Sequence, residues 1–73
     1  MPTFLRTRTW LVEPRGRRWC VRRADGLSAD SLHDDKAAAI ARAVDLGRRA
    51  RGRCRVKALS GRIEQEYDFT HEL

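Results

Sequence analysis

Apolar and polar positions alternate with a period of two in four stretches, the spacing of strands that bury one face. The first two, Trp10-Leu11-Val12-Glu13 and Arg18-Trp19-Cys20-Val21-Arg22, flank Pro14-Arg15-Gly16-Arg17, whose Pro and Gly suit a tight turn. With Arg15 and Gly16 at the centre, Val12 faces Trp19 and Trp10 faces Val21, while Glu13 faces Arg18 and Leu11 faces Cys20 on the other side. The last two stretches, Arg53-Cys54-Arg55-Val56-Lys57-Ala58-Leu59 and Arg62-Ile63-Glu64-Gln65-Glu66-Tyr67-Asp68-Phe69, flank Ser60-Gly61. That turn sets Lys57 against Glu64, Arg55 against Glu66 and Arg53 against Asp68 on one face. On the opposite face it sets Ala58 against Ile63, Val56 against Gln65 and Cys54 against Tyr67.

Between the hairpins the spacing changes. Residues 24–31 are polar and include the turn pair Asp25-Gly26, with room for a short extended piece over residues 27–29 that the pattern does not require. Asp34 or Asp35 is placed to cap a helix start. The helix is expected over residues 35–49 and stops near Gly52, burying Ala37, Ile40, Ala41, Val44 and Gly47. Gly47 costs about 1 kcal/mol relative to Ala in a helix interior, which points to close approach of helix and sheet. The expected fold is a single small α+β domain spanning residues 1–73, ββαββ, an antiparallel sheet of two hairpins with the helix on one face. Its ordered core is residues 7–69, between short tails. Trp10, Val12, Trp19, Val21, Val56, Ile63 and Tyr67 face the helix, with Phe69 of the same parity and Cys54 as a small buried residue.

The spacing Trp10-x-Val12, Gly16-x-x-Trp19-x-Val21, Lys36-Ala37-Ala38-Ala39-Ile40 and Gly61-Arg62-Ile63 resembles the small bacterial and phage family catalogued as domain of unknown function 2188. The resemblance covers residues 9–68. Ala38 or Ala39 stands where that family usually carries an acidic residue. The resemblance implies the ββαββ order and carries over no catalytic residue.

Composition then bounds the chemistry. Seventy-three residues, 41% of them hydrophobic, suffice for one compact core. No apolar run reaches the roughly 18 residues of a membrane span. A multidomain enzyme and a secreted disulfide knot are excluded as well, and a cytoplasmic module is the expectation. Cys20 and Cys54, His33 and His71 are scattered, so neither a metal site nor a cofactor is expected. No nucleophile–base pair is evident, and Glu64, Glu66 and Asp68 already face bases; neither an enzyme nor a small-molecule substrate is expected.

The net charge is +6, and 14 of the 16 basic residues are Arg. A GC-rich genome favours Arg over Lys, but the guanidinium fork also suits phosphate. Residues 1–24 sum to +6, 25–47 to −3, 48–62 to +7 and 63–73 to −4. After cross-strand pairing, bases without an obvious partner remain at the first hairpin and past the helix. Arg15, Arg17, Arg18, Arg22, Arg23, Arg48, Arg49 and Arg51 are the candidate contacts to nucleic-acid backbone, expected to lie on one surface and to read no sequence. Part of the Arg48, Arg49 and Arg51 cluster also complements the helix dipole. Trp10 and Trp19 alternate with valines and are read as core, not as base-stacking platforms. The alternative is a protein–protein module, a homodimer or an accessory protein docking on an acidic partner, through Leu11, Cys20 and Leu59 on the sheet's free side, where the Phe4-Leu5 segment would be another cover. A weaker possibility is redox regulation at Cys20 beside Arg18 and Arg22.

Overall fold

The first hairpin turns on Gly16, whose φ of +62° places it in the left-handed region. The computed structural model of the chain describes residues 8–71. Their elements run β1 (Thr9–Arg15), β2 (Arg18–Arg23), β3 (Ala29–His33), α1 (Lys36–Ala50), β4 (Arg53–Lys57) and β5 (Ile63–Asp68). Gly16 and Arg17 are the central pair, with glycine first, as a type II′ hairpin requires. The observed pairs are Arg15↔Arg18, Pro14↔Trp19, Glu13↔Cys20, Val12↔Val21, Leu11↔Arg22 and Trp10↔Arg23. The hairpin is therefore shifted by two residues from the sequence expectation. A slip of two changes every partner but keeps every side chain on its face. It also accommodates Pro14: next to the pair that closes a two-residue turn, its missing N–H points away from β2, and the β4 partnership has already ended at Val12.

The second hairpin closes with Gly61 at φ +90°. Gly61 N donates to Ala58 O at 2.9 Å and Ala58 N to Arg62 O at 2.7 Å, so the loop has three residues with glycine at the left-handed position. Arg53↔Asp68, Cys54↔Tyr67, Arg55↔Glu66 and Val56↔Gln65 pair as the sequence predicts. Nearer the turn a bulge puts Lys57 opposite Ile63. The expected Lys57–Glu64 and Ala58–Ile63 pairs are accordingly absent: Lys57 lies 3.7 Å from Glu13, and Glu64 crosses to Lys36 on the helix. Ile63 leaves the core and is 47% exposed.

Two further corrections concern topology. β3 is a full edge strand paired with β2, so the order is βββαββ instead of ββαββ. The sheet order is β3-β2-β1-β4-β5, and β1 pairs with β4 in parallel, which makes the sheet mixed instead of wholly antiparallel.

Asp35 is the N-cap, its carboxylate accepting from Ala37 N at 3.2 Å. The helix buries Ala39, Ala43 and Gly47, while Ala37 and Ala41 are exposed, so the buried stripe is rotated from the expected one. Beneath it lie Trp10, Val12, Val21, Cys54, Val56 and Phe69, with Trp19 and Tyr67 packed alongside. Among the described residues, no helix is long and apolar enough to cross a membrane.

Candidate functional site

Gly52 is the point where the helix end, β1, β4 and β5 meet. Its N–H donates to Gly47 O at 2.8 Å and its carbonyl accepts from Phe69 N at 2.8 Å. Arg53 N donates to Arg8 O at 2.8 Å, which holds the entry to β1 against the entry to β4. A Cβ on Gly52 would overlap the Arg8 carbonyl, so only glycine allows the crossing.

Arginines gather round this crossing because of that backbone arrangement. Arg51, immediately before Gly52, closes the helix in the left-handed conformation at φ 53°, its N–H directed to the carbonyls of Arg48 and Gly47. The Arg48 guanidinium lies 5.2 Å from the centre of the Phe69 ring. Arg8, Arg48 and Arg51 are exposed, and among the described residues none of them is ion-paired to a carboxylate. Arg53 beside them pairs with Asp68 at 3.4 Å. The carboxyl of Asp68 is held below its ordinary range chiefly by hydrogen bonds from the Thr70 hydroxyl and N–H, and then by Arg53.

The eight arginines nominated from sequence do not form one surface. Arg15, Arg17 and Arg18 sit at the β1–β2 turn, the end where the helix begins. Arg22, Arg23, Arg48, Arg49 and Arg51 lie at the end where it stops, since Trp10 pairs with Arg23 and with Cys54. A 15-residue helix separates the two ends by about 22 Å. The expectation of one electropositive surface is thus corrected by the sheet topology.

Several are also neutralised. Arg18 pairs with Asp34 at 3.2 Å, Arg23 with Asp25 at 3.1 Å and Arg49 with Asp45 at 3.3 Å, all exposed contacts that contribute little to stability. Arg22 is turned inward. Its Nε donates to Glu13 at 2.5 Å and its Nη1 to the carbonyls of Gly26, at 3.1 Å, and Arg23, at 3.3 Å. This bond from Arg22 holds the Glu13 carboxyl below its ordinary value despite partial burial, and Glu13 in turn raises Arg22. Arg22 is a strut for the β2–β3 loop.

The expected apolar contact also changes. Leu11 is 9% exposed and Cys20 fully buried, although both lie on the face away from the helix. Leu11 stands between Arg22 and Arg55, and Cys20 between Glu13 and Leu32, longer neighbours whose stems shield short side chains. Leu59, at 80%, is exposed as expected. Phe4 and Leu5, the other cover envisaged for this face, lie outside the described residues. Burial of Cys20 removes the premise for redox regulation there. Cys54 lies on the opposite sheet face, so the two thiols, both free, do not meet.

Arg8 stands outside the eight arginines nominated from sequence. Its position beside Gly52 follows from the parallel β1–β4 pairing, which no local turn signal announces. The family model for an uncharacterized protein conserved in bacteria, DUF2188, matches residues 10–69, nearly the whole domain. The chain belongs to that family. Neither a curated protein nor a solved structure matches it.

Proposed function

We propose that this member of the DUF2188 family is a small non-enzymatic module that contacts nucleic-acid backbone through Arg8, Arg48 and Arg51. The observation that supports this reading is their convergence on Gly52 without a carboxylate partner among the described residues. Exposed guanidinium groups around this buried backbone crossing match phosphate oxygens in charge and geometry. Arg23 and Arg49 lie at the same end, each held only by one exposed carboxylate that a phosphate can replace. Arg22 is excluded because it is engaged by Glu13 and two loop carbonyls.

Duplex is favoured over single strands. Trp10 and Phe69 are each 7% exposed and belong to the core, and Trp19 and Tyr67 are partly buried against it, which leaves no fully exposed aromatic platform for unpaired bases among the described residues. Among the described residues no base-reading element accompanies the cluster, so binding is indifferent to sequence. The protein-docking alternative keeps only Leu59 of its expected contacts.

Titration of a labelled duplex by fluorescence anisotropy tests the proposal. Three phosphate contacts give a log–log salt slope of about −2.7, a loss of roughly 40-fold between 50 and 200 mM salt. Absence of binding at 50 mM salt, or affinity unchanged by salt, would rule it out.

A further inference from the structure

Leu27 is the most exposed large apolar side chain among the described residues, at 99%, and it stands on the β2–β3 loop. An isolated surface leucine is ordinary. This one differs in how it is held. Ala24 N donates to Thr9 O at 2.8 Å and Gly26 N to Arg23 O at 3.0 Å. The Arg22 guanidinium, anchored on Glu13, donates to the carbonyls of Arg23 and Gly26. The backbone that leads into Leu27 is therefore pinned. An apolar groove of about 410 Å³ lies beside it, bordered by Trp10, Ala29 and Leu46. Leu27 reaches the rim of this groove but does not fill it, so the loop displays the leucine to solvent although apolar cover adjoins it.

The leucine loop and the arginine cluster flank the same strand. Arg8 O accepts from Arg53 N on the β4 side of the β1 entry, and the next carbonyl, Thr9 O, accepts from Ala24 N on the β2 side. β2 and β4 are the two neighbours of β1, so the Gly52 crossing and the root of the loop are two strand spacings apart, about 10 Å. Arg23, held only by an exposed pairing with Asp25, lies at the foot of the loop. An apolar tip among guanidinium groups is an arrangement that opens a base step: the cations hold the backbone while the hydrocarbon enters between two bases. A single leucine on a tight loop suits the minor groove, about 6 Å wide, and would leave the ~12 Å major groove largely unfilled.

We infer that Leu27 is a wedge that enters the minor groove of the bound duplex, unstacks one base step and kinks the helix axis, with Arg8, Arg48 and Arg51 on the adjoining backbone. The inference rests on the duplex-binding reading above and adds the deformation of the ligand. A leucine forms no hydrogen bond with a base edge, so this contact reads no base and responds to how easily the stack opens.

Two duplexes of one sequence, fully paired and with one central mismatch, separate the wedge from the backbone contact, because a mismatched step is already easier to open. Wild type should bind the mismatched duplex at least about fivefold more tightly and bend the paired one by at least about 20°. Anisotropy reads the first and end-to-end energy transfer the second. Leu27→Ala, with an unchanged thermal melt, should lose both the preference and the bend while its log–log salt slope stays that of wild type. Leu59→Ala, the same truncation of an exposed leucine at the opposite end of the molecule, should retain both. Equal affinity of wild type for the two duplexes, an unbent duplex, a preference that survives Leu27→Ala or one that is lost in Leu59→Ala would each overturn the wedge. Salt-dependent binding without preference or bend would leave the backbone contact standing and remove the wedge alone. Failure of wild type to bind either duplex would instead remove the duplex reading, and the wedge with it.

Discussion

Gly47 faces Cys54 so closely that a Cβ on the glycine would stand 2.5 Å from the Cys54 sulfur and 3.4 Å from the Phe69 ring. Cys54 Sγ also donates to Ala43 O at 2.8 Å, one helical turn earlier. The glycine within the helix is what lets the sheet come this near. Gly47→Ala should therefore destabilise the protein by about 1–3 kcal/mol through overpacking, against the ~1 kcal/mol that helix propensity alone would add. Cys54→Ala removes the opposing sulfur, so Gly47→Ala made in that background should cost distinctly less. Urea unfolding of the four proteins in the cycle measures the coupling; additive effects would show that the contact does not limit the approach.

Burial raises the Cys54 thiol to about 11, which keeps it protonated at neutral pH. Cys20 is fully buried on the other face of the sheet. Both thiols should react with an aromatic disulfide reagent only on unfolding, and release of two equivalents in denaturant against almost none in buffer is the expected result. Rapid modification of one cysteine in the native protein would contradict the burial of that residue.

Acid should weaken the fold through Glu13. Its carboxyl titrates below its ordinary 4.5 because Arg22 donates to the charged form, so the folded state binds fewer protons than the unfolded one. The stabilisation is complete above about pH 4.5 and is lost as pH falls through the depressed folded value. Glu13→Gln should cost about 1–2 kcal/mol at pH 7, a difference that shrinks as pH falls through the depressed folded value of Glu13. Proteolysis of the loop over residues 24–28 should rise in the same variant, since Arg22 would lose its anchor. Parallel stability curves for the two proteins across that range would disprove the linkage.

Much of this frame was legible in alternation. The faces of β1, β2 and β4, and of β5 beyond its first two residues, were assigned by parity, and four of the β4–β5 pairs by the matching of Arg53 and Arg55 with Asp68 and Glu66. Register at Gly16 was not, because a two-residue slip leaves the same residues on the same face and only the glycine's φ decides between them. β3 escaped because Ala29-Asp30-Ser31-Leu32-His33 is an edge strand with few apolar positions. The helix phase escaped for the opposite reason: alanines at 37, 38, 39, 41 and 43 make several faces equally apolar. The candidate site depended on non-local pairing. The Arg clusters were visible in the sequence, but their division between two ends and the entry of Arg8 come from the parallel contact of β1 with β4.

Arg51 offers a clean probe, because its left-handed backbone suits glycine and Arg51→Gly removes charge without strain. In combination with Arg8→Gln and Arg48→Gln it should leave the thermal midpoint within a few degrees of wild type. A midpoint lowered far beyond that would mean that these side chains hold the fold together, chiefly through Arg48 on Phe69.

The most direct measurement is the salt dependence of duplex affinity for wild type and for these variants taken one at a time. Each of Arg8→Gln, Arg48→Gln and Arg51→Gly should flatten the log–log slope by about one and weaken binding equally on unrelated sequences. A slope that stays unchanged when all three arginines are removed from a folded protein would contradict the assignment of the Gly52 crossing as the backbone contact.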